Sequence, residues 1–218
     1  EQCTGDWCFY VQADEVVHED DLPVIKSRCE QLLGDKRVEG LLFDYIHFWG
    51  DYGHYHAGHG WYKNEIRIVR NNLGIKSWSS AQSFRTAEDK KLAVALANAR
   101  IFHYGWVRPP HLMQSKNREM TVTHHGKQAV LERWNPAVAE FDYGPLGNLA
   151  VFKGSHPAVM KHFMTAFNWG DKLRLEDPPG LVREPRKDET HKYRFLSFLE
   201  KALGLNLGHK NYRRLLKV

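Results

Sequence analysis

The chain has 218 residues, of which 42% are hydrophobic and 26% are charged, and its formal net charge at pH 7 is +5. This length and composition are ordinary for a globular protein that buries a sizeable core. No apolar run approaches the ~20 residues that a membrane-spanning helix needs, and no nucleic-acid-binding motif accompanies the mild positive charge. We therefore expect neither a membrane-spanning segment nor a nucleic acid partner.

The cysteines indicate a reducing compartment. There are three of them, and an odd number without CxxC spacing argues against a disulfide framework and against a zinc ribbon. The first residues do not form a basic and then apolar leader, so we expect a cytoplasmic protein. The basic C-terminal region is suited to peripheral contact with the inner face of an anionic membrane, and a solvated tail is the alternative. Its basic residues include Arg183, Arg186, Lys187, Arg213 and Arg214.

The first predicted element is a strand over residues 7–11, which are aromatic or β-branched for the most part and carry no charge. This composition predicts a strand that is buried on both faces. Asp14 and Glu15 follow where the strand should end, and in open α/β sheets ligands bind outside the carboxyl ends of strands. A single acid at such a turn is more often simply solvated, so a site at Asp14 needs support from other residues.

The remaining elements follow in chain order. Helices are predicted for residues 22–33, 90–99, 109–124, 156–167, 193–203 and 210–216. Further strands are predicted for residues 38–49, 65–70 and 101–104, and Glu65 and Arg67 should share one face of their strand. Loops and breaks are predicted at 134–136, 143–147 and 177–180, where glycine and proline cluster.

Four histidines surround a loop that is rich in glycine and aromatic residues: His47, His54, His56 and His59. A zinc site, and with it a metallohydrolase, is one hypothesis. Their spacing matches no standard zinc motif, however, and no cysteine lies nearby in the sequence. We therefore favour a hydrogen-bonding, aromatic loop that receives an acceptor substrate.

The turn after the strand at 101–104 carries the third candidate group. His103, Tyr104, Trp106 and Arg108 follow one another closely before Pro109. A core histidine in a capped turn is the ordinary interpretation of such a histidine. Here four kinds of side chain that suit phosphate and sugar binding occur in one turn, which favours a binding site for such a ligand.

These segments together resemble a known family. Gln12-Ala13-Asp14-Glu15, followed by Val16-Val17-His18-Glu19, resembles the metal-binding "DADE" segment of glycosyltransferase family 2, whose fold is GT-A. Residues 62–70 and the His-Tyr-Gly-Trp-Val-Arg turn at 103–108 are similar to later segments of bacterial members. His156-Pro157 and the Lys210-Asn211-Tyr212 segment are similar too, with less specificity. The resemblance covers most of the chain in the family's order.

The resemblance implies an α/β fold with an incomplete GT-A-type, Rossmann-like mixed sheet, helices and a helical C-terminal extension. Residues 1–126 would be the C-terminal portion of the GT-A domain, and residues 127–218 a loop-rich and helical extension. The family's N-terminal nucleotide-binding half, on the order of 80 residues in two or three βαβ-type units, has no counterpart in this sequence. We expect a fragment with weak or no activity by itself.

The implied activity is that of an inverting glycosyltransferase, a hexosyl- or related transferase. It would move a sugar from a nucleotide-diphosphate donor to a hydroxyl acceptor, a glycan or a lipid-linked glycan, in glycan or cell-surface polysaccharide synthesis. Asp14 and His103 would hold a divalent cation, Mn²⁺ or Mg²⁺. Glu65 is our choice for the base that deprotonates the acceptor, with Asp89 in reserve. A structural ion-pair partner is the alternative role for Glu65.

The implied substrate-binding residues are Gln12, Glu15, Arg67, Tyr104, Trp106 and Arg108. Gln12 replaces the first acid of the family motif; it can hydrogen-bond a ribose or sugar hydroxyl but is a poor metal ligand. Arg108 would stabilise the leaving diphosphate. A noncatalytic module that binds a polyanion or a carbohydrate is the alternative function.

Overall fold

The computed structural model describes residues 3–78, 83–133, 138–208 and 210–216, and the chain is mixed α/β. The strands are β1 Trp7–Phe9, β2 Glu15–Val17, β3 Gly40–Trp49, β4 His54–His56, β5 Asn64–Arg70, β6 Lys76–Trp78, β7 Ser83–Arg85, β8 Ala93–Trp106, β9 Ala150–Val151 and β10 Arg213–Arg214. The helices are α1 Leu22–Gln31, α2 Pro110–Arg133, α3 Lys161–Thr165 and α4 His191–Leu203.

The sheet is organised around two long parallel strands, β3 and β8. On β3, β5 pairs antiparallel with the first half and β4 with the second half, while β1 pairs with β5 and β9 with β4. On β8, β2 pairs antiparallel near the end and β10 pairs parallel near the start. The hairpin β6–β7 is separate. The predicted α/β class with a mixed sheet is confirmed at this level.

The prediction of a helix at residues 90–99 is wrong, because most of this segment forms the first half of β8. Its alternate alanines, Ala95, Ala97 and Ala99, are buried in one cluster with Ile25 of α1. Alanine has the highest helix propensity, but propensity is a weak preference that pairing with a long neighbouring strand overrides. The small side chains on this face let α1 lie close against the sheet.

The strand predicted at residues 7–11 exists, but the expectation that it is buried on both faces is wrong. It is the short strand β1, and it pairs along β5, its strand neighbour among the described residues. Phe9, Tyr10 and Val11 are exposed. Trp7 is half-buried and packs under the guanidinium of Arg70, 4.2 Å from the ring centre. Aromatic and β-branched residues favour a strand without fixing which faces are covered.

The other helix predictions have mixed outcomes. Helices α1, α2 and α4 are confirmed, although α2 is interrupted at Gly126, whose φ of 83° is not helical. The helix predicted at 156–167 is reduced to the five residues of α3 after a single turn at Ala158–Met160. The helix predicted at 210–216 is wrong, since β10 pairs there with the start of β8. The loop predicted at 134–136 lies outside the described residues.

Residues after position 126 pack against the sheet. Tyr143 and Leu146 share a buried cluster with Trp49 and Met113, and β9 and β10 both extend the sheet. The division of the chain at residue 126 stays a prediction. Among the described helices, none is long and apolar enough to cross a membrane.

Candidate active site

Asp14 lies in a tight turn between β1 and β2. The Glu15 N–H donates to the Gln12 carbonyl at 3.0 Å, and the Tyr104 N–H donates to the Asp14 carbonyl at 2.8 Å. Because β2 pairs antiparallel with β8, Glu15 lies opposite His103. This pairing brings Asp14 Oδ2 to 3.7 Å from His103 Nε2. Two residues that the sequence predicts as metal ligands are therefore neighbours.

Gly105 keeps the space between these two ligand atoms open. A Cβ at this position would lie 2.5 Å from Asp14 Oδ2 and 2.5 Å from His103 Nε2. A divalent cation bonds to oxygen and nitrogen at about 2.0–2.2 Å, so the gap has roughly the size that such an ion needs. The glycine is thus required here for space, and its importance cannot be read from the turn sequence alone.

Two cations lie beside the gap. Lys116 Nζ donates to Asp14 Oδ2 at 2.9 Å and to the Gly105 carbonyl at 2.8 Å. Arg108 and Lys116 line a cavity of about 430 Å³ together with Asp14. His103 first, and Lys116 second, hold the pKa of Asp14 well below its usual range, so the carboxyl is ionised. Glu119 also lines the cavity, which therefore offers two carboxylates and two cations to a ligand.

The residues fit a metal site with two protein ligands. Among the described residues, no group of three or more His, Cys, Asp or Glu side chains lies together as a metal site. Mg²⁺ usually keeps several waters and takes one or two carboxylates plus substrate phosphates, so a site completed by a diphosphate needs only a short list of protein ligands. Asp14 and His103 meet that requirement.

His47 holds His103 in place from the other side. His47 Nδ1 lies 3.2 Å from His103 Nδ1, and one of the two donates to the other. Burial lowers the pKa of His47 well below its ordinary value, so its imidazole is neutral. The His47 ring also contacts Trp61 and Tyr45, with ring centres 5.0 Å and 4.5 Å away. A hydrogen bond to the far nitrogen of a metal-binding histidine commonly fixes its orientation and tautomer.

A buried ion pair lies under the turn. Arg67 donates to Glu15 through Nε at 2.8 Å and Nη2 at 2.6 Å, and the Tyr45 hydroxyl donates to Glu15 at 2.5 Å. Glu15 and Arg67 are only 5% and 3% exposed. Both were predicted to bind substrate. Because their polar atoms satisfy each other, their geometry suits holding the Asp14 turn on the sheet instead.

Glu65 lies on β5, opposite Phe43 on β3. Arg67 Nη1 lies 3.7 Å from its carboxyl. Burial raises the pKa of Glu65 to about 8, an effect that Arg67 opposes and Glu15 reinforces. Glu65 therefore carries its proton through much of the neutral range, and its role as a base stays a prediction.

A second cavity of about 310 Å³ lies near Glu65. Burial and, after it, the Glu65 carboxyl raise the pKa values of Tyr62 and Tyr212, which both line this cavity. Its aromatic side chains are Trp61, Tyr62, Tyr193 and Tyr212. Trp61 also contacts His47, so the second cavity is linked to the Asp14 cavity through the two histidines.

Three other predicted residues lie elsewhere. The Tyr104 hydroxyl pairs with His156 Nδ1 at 2.8 Å, and Trp106 packs on Trp49 with ring centres 4.7 Å apart, so neither lines the Asp14 cavity. Asp89 precedes β8 at the end opposite to His103. Ala93 and His103 are ten residues apart on β8, which corresponds to ~33 Å of extended strand. Asp89 pairs with Lys76 at 2.9 Å, and its role as a reserve base stays a prediction.

Of the four loop histidines, His47 and His56 lie opposite each other where β3 and β4 pair, while His54 and His59 have partners elsewhere. His54 pairs with Asp51 at 2.9 Å, His59 with Glu200 at 3.2 Å, and His56 stacks on Trp61 with ring centres 4.0 Å apart. These separate partners do not support a zinc site shared by the histidines.

Sequence reasoning named Asp14, His103 and Arg108, assigned His47 to the histidine-rich loop instead of to this site, and missed Lys116 and Gly105. Lys116 lies in a polar helix, where a lysine is most often solvated, so no local signal marks it.

Comparison with known proteins adds no identification: no family model, no curated protein and no solved structure matches this chain.

Proposed function

We propose that the protein is an inverting glycosyltransferase of GT-A type that moves a sugar from a nucleoside diphosphate donor to a hydroxyl acceptor. The observation that carries the proposal is the open gap between Asp14 and His103, which Gly105 leaves free beside Arg108 and Lys116. Two cations and two carboxylates line the cavity, and the His103 imidazole lies 3.7 Å from the Asp14 carboxylate. A carboxylate and an imidazole with cations beside them suit a metal-bound diphosphate. Glycan or cell-surface polysaccharide synthesis is the setting that we propose.

The Asp14 cavity would receive the diphosphate of the donor. Asp14 and His103 would hold Mn²⁺ or Mg²⁺, which when bound neutralises charge on the departing diphosphate. Arg108 and Lys116 line the cavity and would donate hydrogen bonds to phosphate oxygens as charge develops there. Gln12, at the start of the turn, would hydrogen-bond a ribose or sugar hydroxyl.

The aromatic cavity would receive the acceptor. Sugar rings pack well on the faces of aromatic side chains, and Trp61, Tyr62, Tyr193 and Tyr212 provide them here. The acceptor oxygen bonds to the anomeric carbon as the bond from that carbon to the diphosphate oxygen breaks on the opposite face. Glu65 takes the hydroxyl proton. Since its pKa is raised to about 8, the transfer rate should increase as the pH rises towards 8.

The substitution Asp14→Asn tests the proposal. The measurement is the release of nucleoside diphosphate from a panel of sugar nucleotides with Mn²⁺ or Mg²⁺, using the longest form of the protein that contains these residues. We expect metal-dependent release to fall on the order of a hundredfold, because the variant loses the charged ligand. Asp6→Asn, at an exposed acid before β1, should be unaffected. Release that survives both Asp14→Asn and a chelator would refute the proposal.

One observation favours the alternative, a noncatalytic binding module. Lys116 already pairs with Asp14 at 2.9 Å, so the carboxylate has an internal counter-charge without any metal. A module would bind a polyanion or carbohydrate equally well with and without a divalent cation. It would also retain its affinity in Asp14→Asn and release no nucleoside diphosphate, which is the opposite of the result that the transferase predicts.

A further inference from the structure

Helix α4 has an inner face that packs on the protein. Ser197 Oγ accepts from the His59 N–H at 2.8 Å, and Glu200 accepts from Lys63 Nζ at 2.6 Å. Tyr193, on the same face, lines the aromatic cavity. These contacts fix how the helix is rotated about its axis, and therefore which side chains point outwards.

The outer face of α4 is apolar along its centre. Phe195 and Phe198 are 61% and 65% exposed, and Leu203 near the end of the helix is 60% exposed. Gly204 ends the helix in the left-handed conformation, with φ 62°. Two further exposed leucines follow at positions 205 and 207. Large apolar side chains that remain this exposed and this close together usually mark an interaction surface.

Cations flank this apolar stripe. At 100° per residue, Lys192 lies on one side of Phe195 and Phe198, and Arg194 and Lys201 lie on the other. All three cations are exposed, and their side chains have no ion pair with any residue that the structure describes. The one carboxylate of the helix, Glu200, is buried and already paired. Arg194 and Lys201 also line a cavity of about 690 Å³ that includes the carboxylates of Asp188 and Glu189. The outer face thus presents exposed positive charge on both sides of the stripe, and no carboxylate of α4 itself lies there.

We infer that the outer face of α4 docks onto an anionic lipid bilayer, with Phe195 and Phe198 inserted among the headgroups. An apolar stripe between rows of lysine and arginine is the arrangement of helices that lie in the membrane interface. A nucleic acid would match the cations but leave the exposed leucines unmatched. A bilayer surface matches both, and exposed Arg213 and Arg214 add charge of the same sign.

This inference is independent of the transfer reaction, since it rests on the surface of α4 alone. It differs from the tail contact expected from sequence, because two of the arginines named there are occupied. Arg183 pairs with Asp177 and Glu189, and Arg186 donates to the Tyr143 and Pro145 carbonyls. The cations available for lipid lie on α4 and in the segment after it.

Co-sedimentation with vesicles tests the inference. We expect the protein to bind vesicles of phosphatidylcholine with phosphatidylserine, to bind phosphatidylcholine alone more weakly, and to be released by salt. Each of the substitutions Phe195→Ser and Phe198→Ser should lower the partition coefficient on the order of tenfold, and the double variant should show both effects together. Lys192→Gln and Lys201→Gln should each lower it roughly fivefold.

Phe163→Ser is the matched control, because Phe163 is 55% exposed on α3. Its binding should equal that of the wild type, and circular dichroism should show all variants folded. The inference is overturned if the wild type ignores anionic vesicles or if Phe163→Ser weakens binding as much as the α4 variants do. It is also overturned if Phe195 and Phe198 instead hold a dimer, seen as a loss of dimer mass in the α4 variant without any lipid binding by the wild type.

Discussion

The site depends on a few residues whose neighbours come from distant parts of the chain. Asp14 and His103 were predicted from sequence because the acid turn and the histidine turn both occur in the order of a known family. Gly105 was not, since its effect is visible only when the missing Cβ is placed between Asp14 and His103. Lys116 was missed for a similar reason: it reaches Asp14 across 102 residues of sequence.

Glu65 should make stability depend on pH. Its pKa in the folded protein is about 8, above the ordinary value of 4.5, because burial disfavours the charged form. Between these values the folded state holds a proton that the unfolded state has lost. The free energy of unfolding should therefore fall as pH rises through this window, by about 1.4 kcal/mol for each pH unit.

Glu65→Gln removes that dependence, because glutamine has no proton to lose. Urea unfolding of the variant and the wild type across the window should show the variant gaining relative stability as pH rises, with a plateau above pH 8. Glu176→Gln, at an exposed glutamate, controls for the substitution itself. If the free energies of unfolding of Glu65→Gln and the wild type differed by the same amount at all pH values, the raised pKa of the Glu65 carboxyl would be contradicted.

Arg67→Met tests the ion pair under the Asp14 turn. The change leaves the Glu15 carboxylate buried without its bidentate partner, which typically costs about 3–5 kcal/mol. The double variant with Glu15→Leu should recover much of the loss, since no buried charge remains. Urea unfolding measures both. Arg37→Met, at an exposed arginine on the surface, should change stability little; an equally small effect at Arg67 would contradict the account.

At the scale of elements, local patterns predicted most of the chain. Alternation and caps located β3, β5, α1 and α4, where sequence preference and tertiary pairing agree. They failed at the start of β8, where the helix propensity of alanine favours a helix but pairing with β3, β2 and β10 imposes a strand. They failed again at β10, whose two residues are held by the start of β8.

The alanine face of β8 should not tolerate larger side chains. Ala97 is fully buried in the cluster that includes Ile25 and Leu32 of the α1 region. Ala97→Leu would push α1 off the sheet, and overpacking of this kind costs about 1–3 kcal/mol. Thermal unfolding should detect the loss, while Ala166→Leu at an exposed position serves as control. If Ala97→Leu were neutral, α1 could not be packed on this face.

At the scale of the molecule, the His47–His103 pair connects Trp61, which lines the aromatic cavity, with Asp14, which lines the other cavity. Asp14 and Lys116 line one, and Tyr193 and Tyr212 line the other. Each cavity combines two distant parts of the sequence, 13–14 with 108–119 and 59–64 with 187–212, so no single motif could have predicted this division. In the proposed reaction, donor diphosphate and acceptor occupy different cavities, and α4 connects the acceptor cavity to the surface that we assign to the membrane.

The measurement that tests the central claim most directly is the effect of Mn²⁺ on the NMR spectrum of the isotope-labelled protein, with and without a nucleoside diphosphate. Bound Mn²⁺ broadens the signals of nearby nuclei. We predict that the amide signals of Asp14, His103 and Gly105 broaden first, more so with the diphosphate present, and that Gly105→Ala and Asp14→Asn abolish this effect in folded protein. Gly34→Ala, where an added Cβ contacts nothing, should behave like the wild type. Broadening centred elsewhere, or unchanged in both site variants, would contradict the account.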